Sequence, residues 1–177
     1  MAEEKGLQAL EAENAVENEP VDEYSLEELG FTGSYLHGLD AKGRMIIPAP
    51  FRKGLGNKFV VCPSEDCKNI ALYPTKNWVE RRNNYVQLMK RMTSIRPIFD
   101  FFTKFSYVQC EMDQQGRLLL PVALRAHYLK DSKEVDVSGA YDCIVICDSE
   151  KGRTDAVNFH ETHPNVLAIM DEAQKLL

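Results

Sequence analysis

A nine-residue pattern occurs twice in this chain, as Asp40-Ala41-Lys42-Gly43-Arg44-Met45-Ile46-Ile47-Pro48 and, 73 residues further on, as Asp113-Gln114-Gln115-Gly116-Arg117-Leu118-Leu119-Leu120-Pro121. The flanks recur with it. Tyr35-Leu36-His37-Gly38-Leu39 is matched by Val108-Gln109-Cys110-Glu111-Met112, and Phe51-Arg52 by Leu124-Arg125. Repetition in register makes the chain two copies of one supersecondary unit, with the chemistry expected where the copies agree. At 177 residues the chain is long enough for two small units that share a core.

Each copy reads in the same order. Ser34–Leu39 predicts a strand, Asp40–Gly43 a turn and Arg44–Ile47 a return strand, together a hairpin. Pro48 donates no ladder hydrogen bond and suits a helical first turn, so a short helix is expected over about 48–53, closed by Gly54 and Gly56. Lys58–Cys62 and Asn69–Tyr73 predict a second hairpin. Copy two repeats this with strands near 107–112 and 117–120, a helix from Pro121, and strands near 133–138 and 142–147. Between the copies, Thr75 is a candidate N-cap for a helix to about Met92, and Ser94 with Pro97 opens another. The rings of Phe99, Phe101, Phe102 and Phe105 fall at helical spacing, which reads as core or subunit interface rather than a base-stacking platform. Arg81, Arg82, Lys90, Arg91 and Arg96 on the same helices read as a solvated face.

The repeated turn is where chemistry concentrates. Gly43 and Gly116 supply the positive φ of a tight turn, and Asp40 and Asp113 can accept backbone N–H bonds across it. Arg44 and Arg117 then stand on fixed stalks. A planar guanidinium matches a phosphate, or the O6/N7 edge of guanine, bidentately, and a two-stranded ribbon fits a major groove. Lys42 is a point charge suited to phosphate, and Gln115 could reach adenine or a backbone oxygen. The alternative is that each arginine only pairs with the aspartate of its own turn. Copy two has Gln114-Gln115 where copy one has Ala41-Lys42, one charge fewer, so Arg117 is expected to be the weaker partner.

The two LDAKGR-type turns, the Asn69-Ile-Ala-Leu-Tyr-Pro74 segment and Trp78 just after it together resemble the MraZ family over residues 31–147. The resemblance implies duplicated AbrB-like swapped-hairpin modules and a bacterial transcriptional regulator. It further implies a ring-shaped homo-oligomer on DNA direct repeats upstream of the division and cell-wall operon.

Charge is distributed unevenly. Residues 1–30 carry ten acids and one lysine, whereas residues 31–147 carry seventeen Lys and Arg against eleven Asp and Glu. A mildly basic body between acidic ends fits approach to a polyanion. Residues 1–29 are too poor in apolar side chains to offset ordering entropy and are expected to be a disordered acidic leader. Without a membrane-length apolar run or a signal-peptide pattern, the expectation is a cytoplasmic, nucleoid-associated protein with no membrane partner.

Other chemistry has little support. The five cysteines, Cys62, Cys67, Cys110, Cys143 and Cys147, are expected to be reduced thiols. Cys143 and Cys147 lie four apart on a predicted strand, about 13 Å on one face, too far to share a zinc. His160 and His163 lack a further ligand nearby and read as a surface pair. No nucleophile elbow, Walker loop or dinucleotide fingerprint is present, so no enzyme, cofactor, metal or small-molecule substrate is expected. The fold expected from the repeat and the resemblance is α+β: two swapped-hairpin modules related by a pseudo-two-fold and closing into a small β-barrel. They occupy 31–73 and 106–147, with a helical insert over 74–105 and a partly helical tail over 148–177. The expected function is sequence-specific double-stranded DNA binding, with a ring-forming interaction scaffold as the alternative.

Overall fold

The computed structural model describes residues 29–176, so the leader expected over 1–29 lies outside the described residues except for its last position. Copy one contributes strands β1 (Ser34–Gly38) and β2 (Arg44–Ile46), helix α1 (Ala49–Leu55), and strands β3 (Phe59–Pro63) and β4 (Ile70–Pro74). Helices α2 (Thr75–Arg91) and α3 (Arg96–Phe105), joined by a 3-10 turn at Thr93–Ile95, lead to copy two. That copy supplies β5 (Tyr107–Cys110), β6 (Arg117–Leu119), α4 (Val122–Tyr128), β7 (Glu134–Gly139) and β8 (Ile144–Asp148). The tail forms α5 (Ser149–Val157), α6 (Phe159–Thr162) and α7 (Val166–Gln174).

The fold is mixed α+β, with a six-stranded antiparallel sheet in the order β1-β7-β8-β4-β3-β5 and a separate ribbon of β2 and β6. Two expectations are corrected here. The described strands do not close into a barrel, because β2 and β6 are three residues each and pair only with one another, leaving β1 and β5 as the two edges of the main sheet. Nor does β1 form a ladder with β2. The turn closes with Asp40 N–H to Arg44 O at 2.9 Å and Gly43 N–H to Asp40 O at 2.8 Å, and the strands then part to partners in the other copy. β1 pairs with β7, Tyr35 opposite Val137, while β5 pairs with β3.

The core follows from alternation. Phe59 and Val61 of β3, Ile70 and Leu72 of β4, and Ile144 and Ile146 of β8 point to the side filled by Met45, Ile47, Leu118 and Leu120. Val60, Cys62, Ala71, Tyr73 and Cys143 point to the other side, against Trp78 of α2. Strands β3 and β4 are thus covered on both faces, which is why they read as unbroken apolar runs.

The inter-copy helices differ from expectation in their caps and in one arginine. Thr75 does not cap α2; Pro74 occupies the cap and the Thr75 hydroxyl donates to the Lys58 carbonyl at 2.8 Å. Phe102 of α3 is buried and stacks with Tyr85 of α2 at 5.8 Å. Arg81 is not part of a solvated face: its guanidinium lies 5.2 Å from the Tyr73 ring and 5.4 Å from the Tyr85 ring, with Glu65 at 3.1 Å. Helix α5 starts where Asp148 accepts hydrogen bonds from the amides of Glu150 and Lys151, an N-cap that satisfies otherwise orphaned donors.

Candidate nucleic-acid interface

Both repeated turns fold alike, residue for residue. In copy one, Asp40 Oδ1 accepts from the Lys42 and Arg44 amides at 2.9 Å each, and Oδ2 accepts from Arg44 Nε at 2.8 Å. In copy two, Asp113 Oδ1 accepts from the Gln115 and Arg117 amides at 2.9 Å each, and Oδ2 from Arg117 Nε at 2.7 Å. The Arg44 amide and then its guanidinium hold the Asp40 carboxyl down at about 2, and the equivalent bonds from Arg117 lower Asp113. Both carboxylates stay ionised through the neutral range. Each engages only Nε, so the two Nη groups of Arg44 and of Arg117 make no hydrogen bond to another described residue.

The β2–β6 ribbon joins these turns. Arg44 pairs with Leu119, Met45 with Leu118 and Ile46 with Arg117. Residues opposite one another share a face, so Arg44, Ile46, Arg117 and Leu119 all lie on the outer side while Met45 and Leu118 point into the core. Arg44 and Arg117 are diagonal neighbours, about 7–8 Å apart at their Cα atoms. The ladder is continued by Ile47 N–H to Gly116 O at 2.9 Å and Leu120 N–H to Gly43 O at 3.1 Å, so each tip is bonded to the other copy.

Magnitudes decide what holds this ribbon in place. Burying Met45 and Leu118 stabilises it by about 1.5–3 kcal/mol per side chain, whereas the Asp–Arg pairs lie at the surface, where solvent screening leaves an ion pair little net stability. The core anchors the ribbon, and the ion pairs orient arginines whose outer edges stay available.

The sequence singled out Lys42, Arg44, Gln115 and Arg117 as DNA contacts and Asp40, Gly43, Asp113 and Gly116 as turn supports. The structure places all eight on the two tips at opposite ends of one three-residue ribbon. Lys42 and Gln115 are exposed at matching positions. Two further pairs were assigned no role. Ile46 and Leu119 stand 43% and 59% exposed between the arginines. Arg52 and Arg125 pack against the tips: a Cβ on Gly116 would meet Arg52 Cζ at 2.5 Å, and one on Gly43 would meet Arg125 Nη1 at 1.2 Å. The signal was the recurrence of an arginine eight residues after each tip arginine.

Other candidate chemistries are not assembled. The cysteines are free thiols, and burial pushes Cys143 and Cys147 up to about 11 and Cys62 higher still, the reverse of an activated nucleophile. Among the described residues, no group of three or more His, Cys, Asp or Glu is placed to hold a metal ion, and no helix is long and apolar enough to cross a membrane. The expected surface pair of His160 and His163 rests on a His160 side chain outside the described residues.

A family described as "MraZ protein, putative antitoxin-like" matches residues 31–94 and 106–151, spanning both tips and all eight strands. The chain belongs to the MraZ family. Its relatives include the transcriptional regulator MraZ of Desulforamulus reducens, 37% identical over 121 residues, which cover 68% of this chain and 83% of that protein. The transcriptional regulator MraZ of Halothermothrix orenii is 33% identical over 143 residues, covering 80% of this chain and 97% of that protein. That of Moorella thermoacetica is 41% identical over 109 residues, 62% and 74% of the two chains. These MraZ relatives are named as regulators, a non-enzymatic role.

Proposed function

We propose that this chain is a transcriptional regulator that binds double-stranded DNA sequence-specifically through the outer face of the β2–β6 ribbon. Arg44 is the principal reader, Lys42 its phosphate contact, and Arg117 with Gln115 the weaker partner. In this reading the crossed pairings of β1 with β7 and of β3 with β5 are those of two swapped-hairpin modules related by a pseudo-two-fold. Several chains associate as a ring and engage direct repeats, the arrangement the family resemblance implies for the division and cell-wall operon.

The observation that carries the reading is the pair of guanidiniums, Nε fixed by aspartate and Nη free, on one exposed face of a two-stranded ribbon. A ribbon of that width enters a major groove, and a forked donor reads guanine. Ile46 and Leu119 between the arginines suit a thymine methyl. Their exposure also suits a contact between subunits, which is the scaffold alternative. Selection from a random duplex pool separates the two. A base reader enriches a common sequence and loses that enrichment on Arg44→Ala, whereas a scaffold enriches none.

A further inference from the structure

The ion pairs that orient Arg44 and Arg117 also neutralise them. Asp40 and Asp113 are both ionised, so each tip has an aspartate and an arginine whose charges cancel. Attraction to a phosphate backbone needs net positive charge at the surface. In the two tips and the side chains set against them, that charge comes from three residues only: Lys42, Arg52 and Arg125.

Arg52 and Arg125 are placed reciprocally. Arg52, from α1 of copy one, covers Gly116 in the tip of copy two; Arg125, from α4 of copy two, covers Gly43 in the tip of copy one. Arg52 Nε donates to the Ile47 carbonyl at 2.8 Å, at the end of the ribbon strand that leads to its own helix, and its Nη groups remain free. Arg52 lines an open cleft of about 520 Å³ together with Asn57, Lys58, Glu111, Asp113 and Gln114, where Lys58 and Glu111 pair at 3.6 Å and leave the Arg52 charge uncompensated by them. The Arg125 guanidinium makes no hydrogen bond or ion pair to another described residue. A half-buried guanidinium with unused donors, held against the backbone of a turn that already presents Lys42 and Arg44, is preorganised for an anion.

We propose that Arg52 and Arg125 complete the DNA site as a crossed clasp: each positions the reading tip of the opposite copy and donates to a phosphate flanking that tip. The inference rests on the DNA-binding reading given above. It goes beyond the tip motif, because the residues lie outside both turns and act on the copy they do not belong to. Loss of Arg125 is felt by Arg44, and loss of Arg52 by Arg117.

Two measurements test the two halves. In the free full chain with glycine-selective labelling, Arg125→Lys should move the Gly43 amide resonance and leave Gly116 in place, and Arg52→Lys should do the reverse. Shifts within the same copy, or equal shifts at both glycines, overturn the clasp without reference to DNA. Binding is then followed by anisotropy across a salt series, on a duplex selected by the chain from a random pool and on a scrambled duplex. Arg125→Gln should reduce the slope of log K against log salt by about 0.9 per engaged subunit, one phosphate each. Arg125→Lys keeps the charge, so it should keep the slope while narrowing the preference for the selected duplex several-fold. A double-mutant cycle should couple Arg125 to Arg44 and leave Arg125 and Arg117 additive. An unchanged slope in Arg125→Gln, or coupling to Arg117 instead, overturns the phosphate contact and the crossed action. Should Arg125→Gln fail to fold, Arg52→Gln carries the slope measurement. A chain that shows the crossed amide pattern but binds no duplex overturns the phosphate half together with the proposed function and leaves the clasp standing.

Discussion

A Cβ built on Gly43 falls 1.2 Å from Nη1 of Arg125, an arginine of the other copy, so the tip of copy one is shaped by a side chain from copy two. Gly43 also sits at φ +81°, where an L side chain costs about 1–2 kcal/mol. Gly43→Ala should therefore destabilise the fold by that amount plus the cost of displacing Arg125. In an Arg125→Ala background the second part disappears, and the residual cost should fall to the backbone contribution. Denaturant midpoints of the four proteins in this cycle check it. Additive losses would show that Arg125 swings away freely and does not hold the tip.

What was legible in the sequence follows from local physics. The turns, both short helices and the strand positions were set by Gly, Pro and apolar runs, whereas the split of Phe59–Cys62 and Ile70–Tyr73 between two buried clusters was not legible, because both runs are apolar throughout. Strand partners were not legible. Arg44-Met45-Ile46 has the same inward Met45 whether it pairs with β1 or with β6, and only the packing of both copies decides for β6. The fate of Arg81 was hidden for a similar reason, since its partners Tyr73 and Glu65 come from β4 and from the turn before it. Gln109 reads as ordinary strand, yet it takes φ +56° at an irregularity where β5 meets β3. The turn geometry of the eight tip residues was legible because a repeated turn is a local signal. Arg52 and Arg125 were visible as a recurrence but not as contacts, because each touches the copy it does not belong to.

Arg44 and Lys42 should fail differently. Arg44→Ala removes a forked donor and is expected to cost about 1–3 kcal/mol per engaged subunit while relaxing base preference. Lys42→Ala removes a point charge and should weaken all sequences alike, reducing the salt slope by about one. Titrations on matched and scrambled duplexes distinguish them. Equal losses without change of preference in both variants would remove Arg44 as a reader.

His37 gives the fold a pH dependence of definite sign. Its imidazole lies on β1 opposite Val135, and desolvation, then the nearby charge of Arg52, lower its pKa from the usual 6.5. The unfolded chain therefore takes up this proton at higher pH than the folded chain does. Its contribution is intact above 6.5 and is lost as pH falls through that value toward the lower folded one. Asp40 acts in a separate window, from the ordinary carboxylate value of 3.8 down to about 2. His37→Gln should flatten the stability profile just below pH 6.5 and leave the acid limb unchanged. Arg52→Gln should flatten part of it by removing the repulsion. A wild-type profile that already runs level between pH 7 and 5, followed by thermal midpoint, contradicts the assignment.

The last prediction concerns spacing, and it follows from the inequality of the two tips. Lys42 in the first tip corresponds to Gln115 in the second, so one chain carries one charged and one uncharged tip rather than a matched pair, and the first should bind the more strongly. Identical chains associating head to tail present the Arg44 tip of each subunit in the same orientation. Such an array should read direct repeats about one turn of duplex apart, roughly 10–10.5 bp, so that successive tips meet the same side of the helix. One subunit should bind weakly, and several joined together should bind tightly through raised effective concentration. Inserting about half a turn between two repeats should therefore remove most of the affinity, and inserting a full turn should restore part of it. Band shifts on duplexes with 0, 5 or 10 extra base pairs, counts that approximate the half and full turn, decide the matter. Equal binding to the half-turn and full-turn spacers, or binding to an inverted repeat as tight as to a direct one, would rule out the head-to-tail array.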